Sequence, residues 1–372
     1  MRVLHLIARL NVGGTARYIT RLAEELPLRG FETVVATGFV QDDEVEDQPA
    51  QEIDVLRIPS LGRAINPMSD LRARKELLEV VRHVKPDVLH THTFKAGAIG
   101  RTNTDRLKSA AGTDVKFVHT FHGHLFDDPE FSGMKSSAIV ALERRLAKST
   151  DKLVTVGKKV GEDLIRRGIG HPNQYVSIAP GVDPLDITPR DQAFANLKIH
   201  DDGRLIVGWI ARVTSVKNPL RALEVARAIP NVHFVIAGGG DLVEQIRQQA
   251  PDNVSVIGWS DARDLIGISD IILSTSENEG MPIALIESQM AGKPVVATDV
   301  GSVSEVIIDE ESGFVTPKSA DYLVMALQKL ISNKELRENF GVAATDYSHT
   351  RFSVERMINE HCDLYESLKF LN

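Results

Sequence analysis

Two cations and two acids stand at spacings that could hold a diphosphate and a sugar. Arg212 and Lys217 lie five positions apart in the run Ala211-Arg212-Val213-Thr214-Ser215-Val216-Lys217-Asn218-Pro219, which follows a β-branched segment and opens a helix. A planar arginine fork and a lysine point charge in such a loop can converge on a diphosphate. Two unrelated surface cations would give the same spacing. Glu279 and Glu287 are eight apart, separated by Gly280-Met281-Pro282, and Pro282 suits the first turn of a helix. Glu287 then sits about two turns inside that helix, on the same side as its start, behind the apolar run Ile283–Ile286. A carboxylate buried there needs donors to offset its desolvation. Ribose hydroxyls would serve, and so would an arginine or a backbone amide. Glu279, at the helix mouth, can accept hydrogen bonds from sugar hydroxyls.

Glycines mark two further junctions. Gly13-Gly14 stands between an apolar run and a helical pattern, where bare backbone N–H groups and a helix N-terminus favour an anion; a tight turn explains the pair equally well. Gly238-Gly239-Gly240 lacks the third spaced glycine of a dinucleotide site, which demotes an oxidoreductase. Histidines cluster in two stretches, His90-Thr91-His92-Thr93-Phe94-Lys95 and His119-Thr120-Phe121-His122-Gly123-His124. Five imidazoles invite a metal reading. His90 and His92 are expected on opposite faces of their strand, which disfavours a shared ion, so no metal is assigned.

The elements that must position these residues alternate between short β-branched runs and longer helical patterns, the signature of βαβ units. Strands are expected over Val3–Ala8, Thr33–Thr37, Val55–Ile58, Val88–His92, Val115–Phe121 and Leu153–Val156. A second series follows at Leu205–Ile210, Val232–Ala237, Val254–Ile257, Asp270–Ser274, Pro294–Thr298 and Gly313–Val315. This predicts an α/β chain of two Rossmann-like, doubly wound parallel-sheet domains. The join falls near Ala179-Pro180-Gly181-Val182-Asp183-Pro184. The N-terminal domain takes residues 1–183, completed by a C-terminal helix over 352–372, and the second domain takes 184–351. The acidic stretch Gln41–Gln48 reads as an exposed loop. In such sheets ligands bind beyond the carboxyl ends of the strands, which is where Gly13-Gly14, Arg212, Lys217 and Glu279 fall.

The 372 residues, 42% hydrophobic and 25% charged, describe two ordinary globular cores rather than a disordered or repetitive chain. Lys+Arg 43 against Asp+Glu 51 gives a net charge of -8, which argues against nucleic acid as the partner. Residues 95–167 depart from that balance, with 14 Lys/Arg and 9 Asp/Glu. This basic region is read as a solvated face or as a patch that meets anionic lipid head groups or an anionic acceptor. Cys362 is the only cysteine, so no intrachain disulfide or multi-cysteine metal site can form. No run of 18 apolar residues occurs, and Met1–Arg9 is too short and too soon charged for a signal peptide. A cytoplasmic protein is expected, with peripheral contact to the inner membrane face as the extension of that reading.

Together Gly13-Gly14, Arg212 with Lys217, the E-x7-E of Glu279 and Glu287, and the following Met290-Ala291-Gly292-Lys293-Pro294 resemble the retaining glycosyltransferases of family 4, glycosyltransferase group 1, which have the GT-B fold. The histidine stretch around His92 resembles the branch acting on bacterial surface polysaccharides or lipid-linked saccharides. The resemblance implies a nucleotide-sugar donor, UDP first with GDP and ADP as alternatives, held mostly by the C-terminal domain across a cleft from the acceptor domain. It implies that Arg212 and Lys217 stabilise the departing diphosphate and that Glu279 orients the sugar beside Gly280, Met281 and Pro282. Glu287 would hold the ribose, Gly14 would approach the phosphate, and the base would meet backbone near Gly258-Trp259. His122 would stand against the transferred sugar, and His92 and Lys95 would face a saccharide or lipid-linked acceptor. No metal or other cofactor is implied. Three positions depart from the family pattern: Asn218 where glycine is frequent, Met281-Pro282 in place of an aromatic-glycine pair, and Gln289 in place of a small residue. A sugar-nucleotide epimerase and a non-catalytic nucleotide-sugar-binding subunit remain as alternatives.

Overall fold

The computed structural model describes residues 1–41, 44–47, 49–62, 64, 66–123 and 134–370. Of these, one compact unit takes 1–123, 134–181 and 354–370, and a second takes 182–353. His124 lies outside the described residues.

The first unit is a seven-stranded sheet of β1 (Arg2–Ile7), β2 (Glu32–Thr37), β3 (Val55–Arg57), β4 (Val88–His92), β5 (Lys116–Phe121), β6 (Lys152–Thr155) and β7 (Tyr175–Ser177). The order is β3-β2-β1-β4-β5-β6-β7, with every pair parallel. The second is a six-stranded parallel sheet of β8 (Ile206–Ile210), β9 (His233–Ala237), β10 (Val254–Gly258), β11 (Ile271–Ser274), β12 (Val295–Thr298) and β13 (Gly313–Thr316), in the order β10-β9-β8-β11-β12-β13. Sheets buried on both faces demand near-continuous apolar strands, which is why these runs were visible in the sequence. Strand β7 was not expected: three residues at a sheet edge carry too little pattern to register.

In the first unit Leu4, Leu6, Leu89 and Phe117 pack with the helix Pro67–Val84 on one face. Val3, Ile7, Val88 and Val118 pack with the helices Gly14–Glu25 and Val354–Leu368 on the other. The expected C-terminal helix runs over Val354–Leu368 and packs on the first sheet; the preceding helix, Lys334–Arg351, ends at the fully buried Phe352.

Two expectations need correction. His90 and His92 share one face of β4, with ring centroids 4.3 Å apart, because side chains two positions apart in a strand point the same way. The acidic stretch is not a free loop where it is described. Glu44 pairs with Arg9 at 2.5 Å, Glu46 pairs with Arg57 at 2.9 Å, and Asp47 is 3% exposed. Backbone bonds from Val12 N to Val45 O (2.9 Å) and from Asp47 N to Leu10 O (2.9 Å) stitch this segment to the chain leaving β1.

Strand order reverses between β1 and β4 in the first sheet and between β8 and β11 in the second, so each sheet has a switch point where loops diverge and leave a crevice. Beyond β12, Gly301 holds φ +50, and a Cβ there would lie 1.7 Å from the carbonyl oxygen of Glu279. Gly301→Ala is therefore expected to cost about 1–3 kcal/mol of stability and to displace the Glu279 loop. Thermal unfolding checks this; a wild-type melting temperature would show that the loop accepts the methyl.

Candidate functional site

In the second unit, the loops after β8, β9 and β10 are laced together. Val213 N donates to Gly239 O (2.8 Å), Leu242 N to Val213 O (3.1 Å) and Gly238 N to Gly258 O (2.7 Å). The glycine run is what permits this approach: a Cβ on Gly238 would lie 1.8 Å from Ala211 O, and one on Gly240 would lie 2.3 Å from Val213 O. Trp259 stands 70% exposed beside Gly239.

The loop after β11 locks onto the turn Ser215–Lys217. Glu277 N donates to Val216 O at 2.8 Å, and Thr275 Oγ1 accepts from Trp209 Nε1 at 2.9 Å while lying 3.0 and 2.9 Å from the carbonyls of Lys217 and Asn218. Asn218 adopts φ +46, which explains how it stands where glycine is frequent: asparagine tolerates the left-handed region. Its side chain also caps the helix Pro219–Ala228 through Arg221 N (3.1 Å) and donates to Glu277 Oε1 (2.7 Å). Burial alone would raise the Glu277 carboxyl. The Asn218 bond and the charges of Arg221 and Lys318 outweigh it and hold the group below the usual carboxylate range.

Lys217 and Glu279 meet directly. Lys217 Nζ lies 2.5 Å from Glu279 Oε1, and Ser276 Oγ donates to the same oxygen at 2.7 Å. Among the described residues this uses one of three ammonium hydrogens and one carboxylate oxygen. The other two hydrogens and Oε2 are left for a ligand. Arg212, five residues earlier, is exposed and makes no ion pair among the described residues, so its planar fork is open. Met281 and Pro282 are buried, and Ser302 N donates to Gly280 O at 3.2 Å. Pro282 is the N-cap of the helix Ile283–Met290, one position earlier than expected. Glu287 is the fifth residue of that helix, a little over one turn inside it rather than two because the helix begins only at Ile283, and it is 5% exposed. Gln289 is buried, donating to Ser312 O (3.1 Å) and Oγ (3.0 Å).

In the first unit, Gly13 caps the helix Gly14–Glu25 with φ +149. The Gly13 N–H is bonded to the carboxylate of Asp47, whose pKa burial raises against the pull of Arg17 and of that bond. Lys95, expected to face an acceptor, is 7% exposed; its ammonium is held by Asp70 and by Ala64 O at 2.7 Å. His92, given the same role, is fully buried, with Nε2 3.0 Å from His5 Nδ1 and Nδ1 3.1 Å from His122 Nε2. The partners His5, Tyr18, His361 and Tyr365 escaped the sequence reading. A histidine inside an apolar strand at position 5 was the one available signal. His90 bonds Tyr365 OH (2.7 Å) and Thr120 Oγ1 (2.6 Å), and Tyr18 OH bonds His361 Nε2 (3.0 Å).

His5, His90 and His92 offer nitrogens within 4.8 Å of one another, the described grouping that could hold a metal. Both nitrogens of His90 and both of His92 already have hydrogen-bond partners, so a cation would have to break those bonds.

Residues 190–347 match the family described as Glycosyl transferases group 1, and residues 13–181 match the Glycosyl transferase 4-like domain. The chain belongs to the group 1 glycosyltransferases. It is 27% identical over 299 residues to the UDP-Gal:alpha-D-GlcNAc-diphosphoundecaprenol alpha-1,3-galactosyltransferase of Escherichia coli, covering 75% of each chain. Two solved structures share its GT-B fold. Sucrose-phosphate synthase of Thermosynechococcus elongatus gives a TM-score of 0.84 at 18% identity over 99% of both chains. HepE of Anabaena, in complex with UDP and glucose, gives 0.79 at 18% identity over 99% of this chain and 100% of that one. The protein is thus a glycosyltransferase enzyme with the fold expected from its motifs. Among the described residues, no helix of this glycosyltransferase is long and apolar enough to cross a membrane.

The histidine layer is expected to make the first unit acid-sensitive. Burial, followed by His361, lowers His5 to about 3, and the same causes lower His122 to about 3. Burial, against a bond to Met357 O, lowers His361 to about 4; His90, His92 and His119 are also well below the ordinary value, chiefly through burial. Each folded value lies below the unfolded one near 6.5, so the unfolded chain binds protons that the native chain refuses. The stabilisation is complete above about pH 6.5 and fades as pH falls toward 3–4, by roughly 1 kcal/mol per pH unit for each histidine. Calorimetry between pH 7.5 and 5 is expected to show a falling midpoint for the first unit, with a shallower slope in His5→Phe. A pH-independent midpoint would contradict the burial of these rings as neutral groups.

Proposed function

We propose that the enzyme transfers a sugar from a nucleoside diphosphate sugar, with UDP as the nucleotide, to a hydroxyl of a saccharide or lipid-linked acceptor, with retention at the anomeric carbon. The observation that carries this is the Lys217–Glu279 pair at the β8/β11 switch point, which among the described residues leaves two ammonium hydrogens and Glu279 Oε2 open, with Arg212 unpaired five residues earlier in the same loop. A diphosphate takes the free hydrogens of Lys217 and the fork of Arg212, and a sugar hydroxyl donates to Glu279 Oε2. Glu287 accepts from the ribose, and the base lies along Gly258-Trp259. From the first unit, Gly14 approaches the phosphate, the Gly13 N–H being taken by Asp47, and His122 contacts the transferred sugar.

The acceptor oxygen bonds to the anomeric carbon on the leaving-group side as the bond from that carbon to the diphosphate oxygen breaks. The acceptor proton passes to the departing diphosphate, so no protein nucleophile is needed. Arg212 and Lys217 supply the positive charge that the leaving group requires, and no metal takes part. The UDP donor finds support in the E. coli relative, whose name specifies UDP-Gal, and in the UDP of the HepE complex. The lipid-linked acceptor finds support in the diphosphoundecaprenol of the same relative's name. Arg144, Arg145, Lys148 and Arg166 are exposed in the basic region and would meet anionic head groups at the inner membrane face.

Arg212→Ala, Lys217→Ala and Glu279→Ala are each expected to lower turnover by about 10²–10³ with the fold retained. Transfer assays with a panel of nucleotide sugars, alongside circular dichroism, measure this. Near-normal transfer by all three variants would end the assignment. Flotation with vesicles containing phosphatidylglycerol is expected to recover the enzyme at low salt and release it at high salt. Equal recovery with neutral vesicles would remove the membrane role of the basic region.

A further inference from the structure

Three imidazoles stand in line from the core of the first sheet to its rim. His5 Nδ1 lies 3.0 Å from His92 Nε2, and His92 Nδ1 lies 3.1 Å from His122 Nε2. Each contact needs one hydrogen and one lone pair, and each neutral ring has one of each. The three rings therefore share a single setting. If His5 carries its hydrogen on Nδ1, then His92 must carry one on Nδ1, and so must His122. If any ring reverses, all three reverse.

The inner end decides which setting holds. His5 Nε2 is buried with no hydrogen-bond partner. A buried N–H left unpaired is the rarer and more costly defect than an unpaired acceptor, so the hydrogen of His5 belongs on Nδ1, where it bonds His92. At the outer end His122 is half-buried, and its Nδ1 makes no hydrogen bond among the described residues.

We propose that His5 and His92 are positioning residues that fix His122 as the Nδ1–H tautomer, so that the enzyme presents a hydrogen-bond donor, not an acceptor, to its substrate at this point. The group it meets is then an acceptor: a sugar hydroxyl oxygen or a phosphate oxygen. This rests on reading His122 as a substrate contact, and it adds the sense of the bond and the two buried residues that set it. Because the relay stays neutral, His122 donates without becoming a cation.

The test is the ¹⁵N spectrum of the full-length enzyme labelled with [¹⁵N]histidine, in which protonated and unprotonated ring nitrogens have well-separated shifts. Wild-type His122, assigned by its loss in His122→Ala, is expected to show a protonated Nδ1 and a bare Nε2. His92→Leu removes the donor to Nε2 and is expected to give a tautomer mixture, with kcat lowered about tenfold and donor KM near wild type. His92→Asn keeps an N–H close to the position of Nδ1 and is expected to restore both the single tautomer and most of kcat. His5→Phe, which leaves His92 in place, should give the same mixture if His92→Leu fails to fold. A protonated Nε2 on wild-type His122, or an unchanged spectrum in His5→Phe and His92→Leu, would overturn the relay whatever the turnover. Undiminished transfer by His122→Ala would instead remove the substrate contact while the tautomer measurement still stands.

Discussion

The ion pair of Lys217 with Glu279 is the contact on which the second unit's site depends. It bridges the segments that follow β8 and β11, two neighbouring strands whose chains leave in opposite directions. Without a tie, loops that diverge at a switch point would wander independently. Thr275, Asn218, Arg221 and Glu277 form a second set of bonds across the same gap, so the cation and the acid are held by the scaffold as well as by each other. Electrostatic catalysis depends on charges that are already in place, since reorganising dipoles during the reaction costs energy.

The first unit solves a different problem. Its sheet carries His5, His90, His92 and Thr120 on a face otherwise occupied by Val3, Ile7, Val88 and Val118. Burying so many polar rings is costly unless their nitrogens are bonded. The helix Val354–Leu368 supplies one such partner, Tyr365 to His90, while its His361 bonds Tyr18 of the helix Gly14–Glu25. The C-terminal helix therefore does more than cover an apolar face: its Tyr365 satisfies a strand histidine 275 positions earlier in the chain.

The motifs after β8 and β11 were legible because their chemistry is local. Arg212, Lys217 and Glu279 follow strand ends closely and Glu287 lies on the next helix, and the strands themselves are apolar runs that period and length reveal. The histidines were legible only as a cluster. Treating His90 and His92 as facing apart was an error of strand geometry, and the roles given to His92 and Lys95 failed because their partners, His5 and Asp70, lie 87 and 25 residues away. The glycine run Gly238–Gly240 was ambiguous in the same way. Only the path of the Ala211–Val213 backbone shows why no Cβ fits there.

By itself the sequence determined two parallel-sheet domains, the junctions at which ligands must bind, and the charged set that marks a glycosyltransferase, because hydrophobic period and short-range spacing act along the chain. Tertiary structure alone decided which of those polar groups remain open. Lys217 keeps free hydrogens, and Arg212 keeps its whole fork. His92 keeps nothing and the buried Lys95 keeps one hydrogen of three, since residues distant in sequence take up their bonding capacity, and hydrogen bonds and ion pairs are settled by distances that spacing along the chain does not encode.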